Sequence, residues 1–216
     1  MATMSLPTET EIMALHRKYA PNDTVCELIT THCKIVNEIA QQCAARSSEQ
    51  IDTELLQAAC LLHDIGTYAF FDAQAHGLNN RMYPQHGMLG AKIVADEGLD
   101  PRLADLIETH LLMGLSKDEI LHTKRPHDVD WPLPARDYIP TTIEGVLLCY
   151  ADRFHSKHPT FNRYETFLAG LERYMPLQAE KFKQSAERFG LPDIEALAKR
   201  YGHPIAQAFD LKAPKS

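Results

Sequence analysis

Glycine is scarce, at 10 of 216 residues, and no segment alternates apolar and polar side chains for long. A half-buried sheet needs that alternation, so the shortage argues for helices. No stretch approaches 18 apolar residues, and Met1 to Glu11 has neither a basic region nor an apolar one. Membrane spanning and export are therefore not expected, and a cytoplasmic protein is. Positive charge is in deficit: 22 Lys and Arg against 29 Asp and Glu leave a formal charge of −7. Affinity for DNA or anionic lipid comes from clustered Lys and Arg, so neither is an expected partner. The five cysteines (Cys26, Cys33, Cys43, Cys60, Cys149) form no CxxC pair. Their odd number and apolar neighbours mark reduced core thiols. P-loop, dinucleotide GxGxxG and Gly-x-Ser-x-Gly signatures are all missing, as are repeats and low-complexity segments.

What is present is a succession of helical stripes. The sequence predicts a helix over about Glu9 to Tyr19, ended by Pro21. A second, capped by Asn22 or Asp23 and running to about Arg46, has Val25, Leu28, Ile29, Val36, Ile39, Ala40 and Cys43 on one face. Asp52 caps a third through Leu55 to Leu62, apolar on most sides and hence central, stopping at Gly66. Residues 67–83 read as a loop with Gly77 and Asn79-Asn80. Helices follow from about Pro84 to Glu97 and from Pro101 to near Gly114, then a short one opened by a Ser116–Glu119 capping box. The four prolines between Thr123 and Pro140 indicate a loop or lid, and Thr141 or Thr142 starts a helix to about Lys157. Beyond Pro159 come two or three amphipathic helices, broken at Pro176, Gly190–Pro192 and Gly202–Pro204. The fold class is all-α.

Eleven histidines occur, and four sit where a core residue belongs. His32 lies inside the stripe of the second helix. His86 shares a face with Leu89, Gly90 and Ile93, and His110 continues the row Leu103, Leu106, Ile107. His63 and Asp64 end the most apolar helix. Singly, each is most simply a hydrogen-bonded core histidine. Together they need partners for eight ring nitrogens, and shared metal coordination satisfies them at once. Asp152, on a face with Gly145, Leu148 and Cys149, is a carboxylate that must be paired; a cation and an Arg or Lys partner are both open. A second dipeptide, His127-Asp128, has no apolar helix before it. His16, His76, His122, His127, His155, His158 and His203 have polar surroundings and are expected mostly at the surface.

The order His32, His63-Asp64, Asp152, with the motif Leu61-Leu62-His63-Asp64-Ile65-Gly66, resembles the HD superfamily, over roughly residues 20–157. Its two-metal members add two intervening histidines, and His86 and His110 occupy that interval. The stretch through Asp137-Tyr138-Ile139-Pro140 and Tyr150-Ala151-Asp152 looks like an HDIG-type branch. The resemblance implies an HD-domain helical bundle over 1–158 (core about 20–157); residues 159–216 match nothing in it and are expected as a C-terminal helical extension packed on the same domain. It implies one divalent metal on His32, His63, Asp64 and Asp152, and a second on His86, His110 and a bridging oxygen of Asp64. Such donors suit Fe, Mn, Co, Ni or Zn, with Mg also open. The function implied is hydrolysis of a phosphate ester, a nucleotide or other small phosphorylated molecule, by a hydroxide shared between the metals, with His63 and Asp64 as catalytic residues. Lys92, Arg153 and Lys157 are candidates for phosphate binding, of which Lys92 and Arg153 are retained. Lys117 and Arg125 reach the site only if the Pro-rich loop, with Trp131, folds over it. A Cys149–His110 nucleophile is discounted, because an apolar setting raises the thiol pKa.

Two other readings fit the same ligands. One is a di-iron oxygenase similar to inositol oxygenase or to a phosphonate-cleaving enzyme. The other is a metal-binding regulatory module without catalysis. A homodimer is a further expectation, from the resemblance alone.

Overall fold

The computed structural model describes residues 5–72, 77–78, 81–125 and 129–209. Ten α-helices, two short 3₁₀ helices and two two-stranded hairpins make up the regular structure among them, so the chain is all-α as expected. His76, Asn79, Asn80, His127 and Asp128 lie outside the described residues. Among the described residues no helix is long and apolar enough to cross a membrane.

The capping residues act where the sequence places them. Helix α1 (Glu9–Tyr19) begins with a Thr8–Glu11 capping box. Helix α2 (Asp23–Ala44) begins with the Asn22 carboxamide accepting from the Val25 amide, and α3 (Thr53–Leu62) with Asp52 accepting from Leu55. Each satisfies an amide that has no partner within its helix. Seven residues of α3 are buried, Leu55, Leu56, Ala58, Ala59, Cys60, Leu61 and Leu62, and α1, α2, α5 and α7 surround it. Helices α4 (His86–Asp96), α5 (Pro101–Thr109) and α6 (Lys117–His122) follow, the last opened by the Ser116–Glu119 box. Helix α7 (Ile143–Asp152) starts at the Thr142 cap. Three helices close the chain: α8 (Tyr164–Tyr174), α9 (Pro176–Phe189) and α10 (Ile194–Tyr201).

Three stretches depart from the expected helices. After Leu62 the chain tightens into a 3₁₀ turn over Ile65–Phe70, then a hairpin of β1 (Phe71–Asp72) and β2 (Gly77–Leu78). Helix α5 stops at Thr109 rather than Gly114, and Leu112 takes a φ of 54° in the turn that follows. Helix α7 stops at Asp152 rather than Lys157, giving way to a hairpin of β3 (His155–Ser156) and β4 (Thr160–Phe161). All three breaks fall at or just beyond His63-Asp64, His110 and Asp152.

The C-terminal helices share the core. Phe182 of α9 packs against Tyr150 and Phe154, with ring centroids 5.3 and 5.7 Å away. Gln178 ties α9 to the turn after α5: its Oε1 accepts from the Met113 amide at 2.8 Å and its Nε2 donates to the Gly114 carbonyl at 2.9 Å. The Pro-rich stretch is pinned at several points. Tyr138 and Leu115 exchange backbone hydrogen bonds, Gln85 donates to the Pro132 carbonyl, and the Trp131 indole donates to Thr123 Oγ1.

Candidate metal centre

Four helices deliver imidazoles to one point because two of them approach the motif through glycine. A Cβ on Gly66 would collide with the His86 carbonyl oxygen and the Gly90 amide nitrogen. A Cβ on Gly87 would lie 2.9 Å from the Ile107 carbonyl oxygen. Backbone thus rests on backbone from the 3₁₀ turn to α4 and from α4 to α5. Helix α4 starts at His86 and His110 caps α5, so both rings fall beside Asp64.

His32, His63, Asp64, His86, His110 and Asp152 are all buried. Three of the histidines are oriented in the same way. The Nδ1 of His63 lies 2.7 Å from the Cys60 carbonyl, that of His86 lies 2.7 Å from Tyr83 O, and that of His110 lies 2.6 Å from Ile107 O. A carbonyl only accepts, so each Nδ1 must carry the proton. The Nε2 atoms then point inward, carrying a lone pair on neutral His86 and His110, whereas burial pulls His63 down but Asp64 and Cys33 outweigh it and raise its pKa. His86 and His110 bring theirs within 2.8 Å of each other, and His63 Nε2 is 3.3 Å from His32 Nε2. Lone pairs facing at such distances repel unless something electrophilic lies among them.

The carboxylates divide the cluster in two. Asp64 Oδ2 is 3.2 Å from His32 Nε2 and 3.5 Å from His63 Nε2, with Asp152 Oδ1 at 3.0 and 3.5 Å from the same nitrogens. Asp64 Oδ1 instead faces His86 Nε2 at 3.4 Å and His110 Nε2 at 3.9 Å. The donor atoms of His32, His63 and Asp152 form one compact triad, those of Asp64, His86 and His110 another, and Cys33 joins His63 and Asp64 in a third. Asp64 Oδ2 is buried without a hydrogen bond of good geometry, although the Lys157 ammonium stands 2.6 Å away as an ion pair. A buried carboxylate oxygen whose counter-charge is a single ammonium, set among inward ring nitrogens, fits divalent cations; nitrogen and oxygen donors in this proportion fit transition metals.

Titration behaviour follows from burial and from these charges. Burial holds His32 and His86 down to about 3 and His110 well below its usual value, so all three rings are neutral, as metal ligands must be. Asp64 is held well below the ordinary carboxylate range. Its burial opposes ionisation, but Lys157 and the neighbouring imidazoles override that cost. Burial pushes the Cys149 thiol up to about 12, which removes it as a nucleophile.

The substrate candidates fare differently. Lys92 does not belong to the site: it is exposed on α4 and bonded to Asp96 at 2.6 Å. As the i,i+4 partner of Asp96 it lies on the solvent face, opposite to His86. Arg153 stays at the site, its guanidinium on the Asp152 carboxylate and its Nε donating to Cys149 O. Lys157, set aside in favour of those two, lies against Asp64 with its ammonium 5.2 Å from the centre of the Tyr83 ring. It arrives there because α7 ends at Asp152 and the β3–β4 hairpin turns the chain back. Two histidines expected at the surface are buried. His16 bonds Tyr68 Oη at 2.7 Å and the Leu61 carbonyl at 2.8 Å. His155 lies between His32 and His203, its Nδ1 2.9 Å from His32 Nδ1 and its Nε2 3.0 Å from His203 Nδ1, with the rings stacked on both sides.

A cavity of about 560 Å³ opens from this centre, with His86, Asp152, Tyr83, Arg153, His155 and Lys157 in its wall. Its lining takes in α8 and Ala206–Phe209 but no described residue of the Pro-rich loop, nor Lys117.

Comparison with known proteins gives a consistent frame. A family model of the HD domain matches residues 29–157. An uncharacterized protein of Methanocaldococcus jannaschii is 32% identical over 129 residues, 58% of this chain and 65% of that protein. A tRNA (cytidine(56)-2'-O)-methyltransferase of Thermoplasma volcanium is 31% identical over 147 residues, 68% of this chain and 36% of the relative. The chain thus spans less than two thirds of the length of these curated relatives. Among solved structures, the HD domain of the L. monocytogenes phosphodiesterase PgpH matches 88% of this chain and 98% of its own, with a TM-score of 0.50 and 15% identity, a likeness of fold.

Proposed function

The chain belongs to the HD-domain family, and we propose that it is a metal-dependent phosphohydrolase acting on a small phosphate ester through two adjacent divalent ions. The observation that carries this reading is the division of labour at Asp64, whose Oδ2 faces one triad and whose Oδ1 faces the other. His32, His63, Asp64 and Asp152 would hold one ion; Asp64, His86 and His110 would hold the second. Bound there, a pair of divalent ions supplies charge neutralisation for phosphoryl oxygens and makes a nucleophile available from water near neutral pH.

The chain's own groups would do the rest. Carbonyl acceptors on Nδ1 keep the rings in the tautomer that presents Nε2. His63 and Asp64, the expected catalytic pair, act as ligands in this scheme, and Thr67 steadies Asp64 by donating to its Oδ1 at 3.1 Å. Lys157 and Arg153 line the cavity beside the ligands and supply fixed positive charge for a phosphate. Burial of the centre excludes bulk water and strengthens these interactions.

The oxygenase reading uses the same six ligands, so metal identity and turnover decide between them. Asp64→Ala should strip both ions and abolish hydrolysis of phosphate esters, whereas His110→Ala should empty one site. Mass-spectrometric metal counting on the native protein and both variants tests this. Equal full occupancy in the two variants contradicts the ligand assignment; iron with mixed-valent EPR and no hydrolysis replaces the hydrolase by an oxygenase.

A further inference from the structure

The lining of the cavity is of two chemical kinds, and most of the apolar part lies outside the segment that matches the family. At the centre, Lys157 and Arg153 present cations next to His86 and Asp152. The same cavity is lined by Phe167, Leu171 and Met175, spaced four residues apart along one face of α8 and its end, together with Leu112 and Phe209. Phe209 is seated on the backbone of α8: a Cβ on Gly170 would overlap its ring, and the Phe167 ring lies 5.2 Å away edge to face. Leu112 reaches the same wall from a left-handed backbone, φ 54°, which a bulky residue adopts only when its surroundings hold it there.

Part of the hydrogen-bonding capacity along the cavity is committed within the protein. Asn162 donates to the Arg153 carbonyl at 2.9 Å, the Ser156 hydroxyl donates to the His158 carbonyl, and Gln207 donates to Ile205 O at 3.2 Å. Against Phe167, Leu171, Met175 and Phe209 a polyol would give up water without gaining partners, which costs affinity. An apolar body would lose nothing and cover the wall. The volume suits a ligand of small-molecule size.

We infer that the site takes a phosphate monoester whose alcohol part is apolar, aryl or alkyl, with α8 and the Phe209 segment as the specificity-determining wall. This rests on the phosphohydrolase reading for the fate of the phosphate, but the recognition itself can be tested without turnover. Methylphosphonate and phenylphosphonate share the anionic head and differ only in the body. With the full-length, metal-loaded protein, calorimetry should show phenylphosphonate binding about tenfold or more tighter than methylphosphonate. Phe209→Ala and Gly170→Ala, the second by unseating the ring, should bring that ratio towards one while metal content by mass spectrometry stays at the native value. In the turnover arm, phenyl phosphate should have a KM about tenfold or more below that of glycerol phosphate.

Equal binding of the two phosphonates, or a ratio untouched by both variants, overturns the inference. A preference for phenylphosphonate without hydrolysis of any ester upholds the wall and refutes the phosphohydrolase reading instead.

Discussion

Gly66→Ala tests whether the two halves of the centre are held together by backbone contact. The added methyl would stand 3.0 Å from Gly90 Cα and nearer still to the His86 carbonyl and the Gly90 amide. The closest contact, to the His86 carbonyl oxygen, is far inside van der Waals range, so α4 must retreat by roughly one ångström or more. No rotamer change relieves the clash, because every atom struck is main chain. Overpacking of this kind costs about 1–3 kcal/mol, which for a chain of this size lowers Tm by roughly 2–12 °C. The chemical consequence is more specific. His86 begins the displaced helix, and α5 is tied to α4 at Gly87. His86 and His110 should therefore move away from Asp64 together, leaving His32, His63 and Asp152 in place. Metal counting should show selective loss of one ion, alongside the fall in Tm measured by calorimetry. Gly98→Ala is the control. Its φ of 69° strains an alanine, by about 1–2 kcal/mol, but nothing lies within 4 Å, so metal content should be unaffected. A Gly66→Ala protein with native Tm and full metal content would refute the argument that this contact sets the spacing of the triads.

Other perturbations follow from the same geometry. Lys157→Met removes the ammonium that competes with a cation for Asp64 Oδ2; chelator competition should show about tenfold tighter metal binding, and a weaker or unchanged affinity would count against that competition. His155→Ala takes the hydrogen-bond partner from His32 Nδ1 and should weaken metal binding about 10–100-fold, with His155→Asn restoring part of it in the same titration. Stability of the metal-free protein should fall as pH drops from about 6.5 towards 4. His16, pushed down to about 4 by burial, is neutral when folded and gains a proton only on unfolding. The unfolded state therefore binds more protons in that window, and the loss levels off below it, at about 3 kcal/mol from this residue. Urea titrations of the native protein and His16→Gln should show the variant losing less across the window; identical slopes would dismiss the assignment.

The helical frame was legible because its signals are local. Asn22, Asp52, Ser116 and Thr142 each cap the helix they precede in the sequence. The six residues singled out from sequence do converge, since a polar group inside an apolar stripe reveals its own burial. What escaped was set by tertiary folding. Lys157 and His155 reach the site only because α7 gives way to a hairpin, and the polar run around them resembles a surface. His16 looks exposed until Tyr68 and the Leu61 carbonyl, more than forty residues away, are brought to its two nitrogens. Lys92 misled for the opposite reason: proximity to His86 in sequence says nothing about which side of α4 a residue occupies.

The tethers on His63, His86 and His110 run to carbonyls only three positions back along the chain. Each ring is therefore aimed by its own segment rather than by the ion it would hold. A folding chain needs no metal to choose among tautomers or to swing side chains into place. Loading would then call for little reorientation of these rings, and its rate should be governed by release of the Lys157 ammonium from Asp64.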